Sequence, residues 1–324
     1  RGGGRAGGGS RRGREVGSGR GSRRKWDGSL EALNLDNHMR RMRLACAALL
    51  CPFAPLDAQN AQCAPDSAIN QEYNVCNAAI DGAVIFHPVV GLMVSGGSPV
   101  IGSSRTLGGL GHVSITARVN ASQLNLPDLK YDGTTTTVAS HQKSWVGAPI
   151  VEVALGIFKG LPGGLLSIDA LGSATLLPTK AIDNLSVDSS ARHIGSLALG
   201  LGYGARVGIT NGRSIIPSIS VSAMHRDVPT VTYGNISGTD NYSYSLNLHA
   251  TNLRVMAGYK LAVLNVAAGL GWDKYTGTGK ISFVDPITSV PQGPLPVKPD
   301  QSRTLAIAET AIDLPIFKIA AAVG

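Results

Sequence analysis

The sequence predicts an all-β chain, an antiparallel transmembrane β-barrel with short periplasmic turns and long extracellular loops. Three observations carry this. Stretches of about ten residues alternate apolar with small or polar side chains, the period of a strand. The connections between them alternate short and long. Only 5% of the 324 residues are aromatic and 15% charged, while 41 are Gly; an average soluble domain is roughly 25% charged. Such a composition argues against a helical enzyme and for many strands and turns.

The formal charge of +8 is segregated. Arg1 to Ala58 holds 12 Lys and Arg against 5 acids, leaving 17 basic and 16 acidic residues for the rest. The body is neutral and lacks a basic groove with interleaved aromatics, so nucleic acid is not an expected partner. Residues 1–38 are a Gly/Arg-rich segment unable to fold alone, read as upstream sequence ahead of Met39. Residues 39–58 follow the plan of a signal peptide: Arg40, Arg41 and Arg43, then an apolar run from Leu44 to Ala54, then small residues. Cleavage falls after Ala58 or Ala61, which removes Cys46 and Cys51. The apolar run is too short to cross a bilayer. Cys63 and Cys76 remain, an even pair in an exported chain, and a disulfide is the first reading.

Residues 59–109 are mixed. Val84 to Val94 is apolar with weak alternation, broken by Pro88, and leads into a Gly/Ser stretch; the whole segment reads as a periplasmic or lumen-plugging unit. Residues 110–324 read as the barrel. His112 to Val119 alternates cleanly. Pro149 to Phe158 and Leu165 to Ala174 flank the turn LPGG, and Leu197 to Ile209 and Ser214 to Ala223 flank TNGR, whose Asn-Gly is a strong hairpin signal. Tyr242 to Tyr259 and Ala262 to Trp272 flank Lys260 and Leu261; Arg303 to Ile312 precedes a last run from Ile316. Within Tyr242 to Tyr259 the apolar parity flips near Asn252, which reads as a β-bulge.

The connections inside these hairpins are short. Those between hairpins, 120–148, 175–194, 224–241 and 273–302, are long and rich in Asn, Asp, Thr, Gly or Pro. Short turns on one side and long loops on the other are the habit of a membrane barrel. In Leu197 to Ile209 the apolar face then meets lipid, and the face of Gly, Ala and Arg206 lines the lumen. Tyr203, Tyr242, Tyr244, Tyr259, Trp272 and Tyr275 fall where interfacial girdles belong, Tyr203 fitting worst because it lies mid-strand.

With the signal peptide, the alternating strands and the loop rhythm in place, the chain resembles Gram-negative outer-membrane β-barrel proteins. The resemblance covers Met39 onward and names an architecture and a compartment, the cell outer membrane. Such barrels end in a strand with a terminal aromatic and close on an even strand number. This chain ends AAAVG after eight strands and a ninth run, so a truncated C-terminus is expected.

His112 and Ser114 share one predicted strand face, and outer-membrane lipid hydrolases pair a His with a Ser two positions on. Those enzymes have an Asn after the Ser, where Ile115 stands here, so lumen lining is the reading preferred and an enzyme is not expected. Arg118, Glu152, Asp169, Arg206 and Arg254 are charges inside strands; on a lipid face an Arg at the midplane costs about 2–4 kcal/mol, so all five are expected to line the lumen as a salt-bridge network. The Gly runs miss the dinucleotide spacing. The seven His are scattered without HxH or HExxH, so neither cofactor nor metal is expected. The leading functional expectation is a passive pore or uptake channel for small solutes, hydrophobic ones among them, in contact with outer-membrane lipid, resembling fatty-acid-transporter-type barrels with an N-terminal plug. The alternatives are a closed structural or adhesive barrel with partner-binding loops, a soluble exported β-barrel or sandwich, and, remotely, a hydrolase using His112 and Ser114.

Overall fold

The computed structural model describes Gln62, Cys63 and residues from Asn70 to Gly324, except 135–139, 163–164, 179–184, 189–190, 195–196 and 214–215. The stretches read as an upstream segment and a signal peptide, with the expected cleavage positions, Cys46 and Cys51, lie outside the described residues.

Among the described residues, one helix, α1 (Asn70–Ser95), precedes thirteen strands: β1 (Val113–Pro127), β2 (Ser140–Phe158), β3 (Ser167–Pro178), β4 (Leu185–Val187), β5 (His193–Ile194), β6 (Leu197–Arg213), β7 (Ile216–Tyr233), β8 (Tyr242–Leu261), β9 (Leu264–Thr276), β10 (Gly279–Val284), β11 (Pro291–Val297), β12 (Asp300–Asp313) and β13 (Lys318–Val323). They form one antiparallel sheet, ordered β1-β2-β3-β6-β7-β8-β9-β12-β13, that curls into a half-barrel. The path has nine members, each antiparallel to the last, so β1 and β13 run in the same sense; they do not pair with each other.

The strands are far longer than the sequence reading gave them. β8 has 20 residues and β2 has 19, against about 9–11 for a tilted membrane strand. Most of what reads as long loop is strand continuing past the regular stretch: β7 runs on to Tyr233 and β1 to Pro127. Thr, Tyr and Val in these extensions suit a pleated surface, and the Asn and Asp among them hide it from a composition-based reading.

The parity flip at Asn252 is not a bulge. β8 pairs with β9 without a register break from His249 to Leu261; the irregularity lies on β7, between Val228 and Val231. What changes at Asn252 is which face is apolar. From Tyr242 to Ala250 the buried residues are Tyr242, Tyr244, Leu246, Leu248 and Ala250, and the outward ones are Ser243, Ser245, Asn247 and His249. From Asn252 onward the inside carries Asn252, Arg254 and Met256, while Leu253, Val255 and Tyr259 are exposed. β9 turns over beside it, with Leu264, Val266, Leu270 and Trp272 outward and then Lys274. On β7 the outward series Ile219, Val221, Ala223 gives way to His225 and Asp227. The half-barrel therefore has two zones. Next to the short turns the outside is apolar and the inside polar; next to the long connections the signs are reversed.

The reversed zone encloses α1. Phe86 stacks on Tyr233, ring centroids 5.3 Å apart, and the main buried cluster joins Val75, Ile80, Ala83 and Val94 of α1 to Tyr242, Tyr244, Leu246 and Tyr275. The Cys63–Cys76 disulfide ties the chain before α1 to its second turn. Val84 to Val94 is thus helical rather than extended. It reads poorly as a helix because it is apolar on nearly every side, and a helix buried all round loses its 3.6-residue stripe. Pro88 lies inside α1 and has no N–H for the carbonyl four residues back. That carbonyl, on Val84, accepts a hydrogen bond from Gln301 Nε2 at 2.8 Å instead.

Candidate functional site

After Ser95 the chain continues inside the polar zone, and the charged side chains of the strands close on it. Glu152 of β2 accepts from Arg118 Nη2 of β1 at 3.1 Å and from Arg226 Nη2 of β7 at 2.8 Å. Arg226 also donates to Asn252 Oδ1, and Asn252 Nδ2 donates to Asp273 at 2.7 Å. Asp273, fully buried, further accepts from Arg254 at 2.5 Å, from Arg303 at 3.0 Å and from the Tyr275 hydroxyl at 2.9 Å. Lower down, Arg206 and Asp169 are paired at 2.7 Å. Five arginines and four carboxylates, counting Glu309, share one interior. Burying such groups is tolerable only when each is paired and hydrogen-bonded.

The spare donors and acceptors of this network hold the backbone of residues 95–107. Arg254 donates to the carbonyls of Ser95 and Gly97 at 3.0 and 3.1 Å. Arg118 donates to Ser98 O at 3.0 Å and Arg206 to Ser103 O at 3.2 Å. Glu309 accepts from the N–H of Gly102 at 2.9 Å and of Ser98 at 3.2 Å, and Asp169 accepts from Leu107 N–H at 3.1 Å. The bare face of β6 belongs to the same arrangement. A Cβ on Gly202 would run into Arg226, on Gly204 into Met224 and on Gly208 into Thr106; the face is stripped because its neighbours already fill the space.

Of the residues singled out from sequence, Arg118, Glu152, Asp169, Arg206 and Arg254 come together inside. Ser114 is half-buried on the inner side of β1. His112 is displaced: the strand starts at Val113, and the exposed His112 ring lies 3.2 Å from Gly109 O. Among the aromatics, Tyr242, Tyr244 and Tyr275 are about 1% exposed and belong to the buried cluster that includes α1, so they form no outer girdle. Tyr203, the poorest candidate by position, is 67% exposed and pairs with His225, where the β7 exterior turns polar. Sequence reasoning missed Arg226, Asp273, Arg303 and Glu309. The first two fall in segments read as loops. Glu309 was within reach, because it continues the inward parity of Arg303, Leu305 and Ile307.

Between the unpaired β1 and β13 lies a cleft of about 710 Å³. Thr116, Arg118 and Asn120 line one wall, Phe317 and Ala321 the other, and Gly97 and Val100 the floor.

The fold and interior define a class: an antiparallel half-barrel, compatible with a β-barrel, wrapped around its own N-terminal helix. Comparison with protein-family models, with curated proteins and with solved structures finds no match to this chain.

Proposed function

We propose that this protein is a Gram-negative outer-membrane β-barrel, closed along its axis by residues 70–109, that works as a structural or adhesive barrel presenting its long-connection end to partners. The observation that carries the reading is the inversion of polarity. On β8 and β9 the outward apolar stripe runs for nine residues, Leu253–Leu261 and Leu264–Trp272. At about 3.3 Å per residue and a tilt near 40°, that spans roughly 20 Å, close to the ~25 Å apolar band of membrane barrels. Exposed apolar surface of this extent is unusual for a soluble monomer, and it lies outside a polar, ion-paired interior.

A closed barrel fits better than an open pore because interior charges bond the backbone of residues 95–107 rather than leave a path. The cleft between β1 and β13 favours a second reading, lateral uptake of small hydrophobic solutes, since Phe317 and Val323 stand exposed beside it.

The test is depth-dependent quenching in lipid vesicles of a variant keeping Trp272 alone. Trp272 fluorescence is expected to be quenched by brominated acyl chains, most strongly when bromine sits near the interface. Quenching by aqueous iodide with no effect of bromolipid would overturn membrane embedding. Vesicle uptake of a fluorescent fatty acid separates the two readings: the closed barrel predicts none.

A further inference from the structure

Scattered in sequence, two of the seven His meet in the fold. His225 and Asp227 alternate onto the outward face of β7, and on β8 His249 stands directly opposite Asp227 and Thr251 opposite His225. His225 Nε2 lies 3.2 Å from Asp227 Oδ1 and His249 Nδ1 lies 2.5 Å from the same oxygen. The two imidazoles stack, centroids 6.1 Å apart and planes 9° from parallel. One ligand atom from each of the three residues falls within 4.8 Å of the others.

We propose that His225, Asp227 and His249 form a binding site for a divalent transition metal of the zinc, nickel or copper class. Two imidazole nitrogens and one carboxylate oxygen suit these borderline ions; calcium and magnesium prefer sites built of oxygen. The remaining coordination positions open to solvent, because all three side chains are 34–53% exposed. Thr251 supplies the outer partner: its hydroxyl lies 3.1 Å from His225 Nδ1, which leaves Nε2 aimed at Asp227. With metal on Nε2, the Nδ1–H donates to Thr251 and fixes the ring, the usual support of a metal-bound imidazole. The adjacent cation, Lys274, is held by Asp300 at 3.2 Å and does not neutralise Asp227. The sheet sets the ligands in advance, since a rigid ladder fixes the spacing of i, i+2 and cross-strand positions.

The experiment is a titration of the intact, detergent-folded protein with ZnCl2 and NiCl2 in competition with a chromophoric chelator. One equivalent is expected to bind. His249→Ala and Asp227→Asn each weaken it at least tenfold, and Thr251→Val weakens it by about tenfold through the loss of the outer partner. Unchanged gel mobility of the unboiled variants reports intact folding, and His225→Gln is a second ligand variant if either fails to fold. Absence of stoichiometric binding by the unaltered protein at millimolar metal, or equal binding by all four variants, overturns the site.

Discussion

Asp273 accepts hydrogen bonds from two arginines, Asn252 and Tyr275 while none of its surface reaches solvent. Its surroundings were assembled to take a full negative charge, so removing one partner is costlier than the pair is worth. Arg254→Met should destabilise the protein by about 3–5 kcal/mol, read from the urea midpoint of unfolding in detergent, and pairing it with Asp273→Asn should recover part of the loss. His87 makes the opposite case. It is 1% exposed among residues of the zone enclosed around α1, neither ring nitrogen has a hydrogen-bond partner among the described residues, and burial lowers its pKa from 6.5 to about 4. A depressed pKa means that the unfolded chain takes up the proton first as pH falls. Stability is therefore complete above about pH 6.5 and declines toward pH 4, by up to ~3 kcal/mol. In His87→Leu that slope should be absent from a pH series of melting temperatures; an unchanged slope would assign it to other groups.

At the scale of elements, α1 meets the sheet through glycines. A side chain on Gly82 would occupy the space of the Tyr244 ring, and one on Gly91 the space of the Tyr275 ring. Gly91→Leu should force the helix from the sheet, with a cost beyond the ~1–3 kcal/mol of ordinary overpacking; faster proteolysis between Asn70 and Gly109 would report it. The Gln301 to Val84 bond predicts a milder effect: it is exposed, so in Gln301→Ala water takes over the helix carbonyl and the loss is about 0.5–1.5 kcal/mol at most. The disulfide spans 13 residues, and a loop near that size is worth about 3 kcal/mol, so a reductant should lower the melting temperature of the helix-bearing zone. Strand positions were legible at this scale for a plain reason. β1, β6 and β9 alternate. Two of the turns lie later than expected, because Asn211 and Gly212 belong to β6 and Lys260 and Leu261 to β8, where Asn211 pairs with Ser218 and Lys260 with Asn265. The helix was not, since a segment apolar on all sides displays neither period, and neither were the extended ends of β1 and β7, whose polar outward residues look like loop.

For the whole molecule, the polar zone works as a clamp on residues 95–107. Arg206→Ala removes the bond to Ser103 and leaves Asp169 buried without its cation. In planar bilayers the unaltered protein should pass no steady current, and Arg206→Ala should show flickering leak; a stable conductance in the unaltered protein would mean that residues 70–109 leave the interior, and the closed-barrel reading would go with it.

Legible without the fold were the central stretches of the long strands, the segregation of charge into the first 58 residues and the parity that puts Arg118, Glu152, Asp169, Arg206 and Arg254 on one side of the sheet. Period-two alternation divides residues between two faces and carries that much. It does not say which face is inside. Only the tertiary structure decided that, because the choice depends on what fills the curl at each level. Where α1 fills it, Tyr244, Leu246 and Leu248 turn inward and polar residues outward. Where the backbone of residues 95–107 fills it, its carbonyls and N–H groups need charged partners, so Arg254 and Asp273 turn inward and Leu253 and Trp272 are left outside. Cross-strand pairing is likewise a property of the ladder, which is why His225, Asp227 and His249 meet only once β7 and β8 lie side by side.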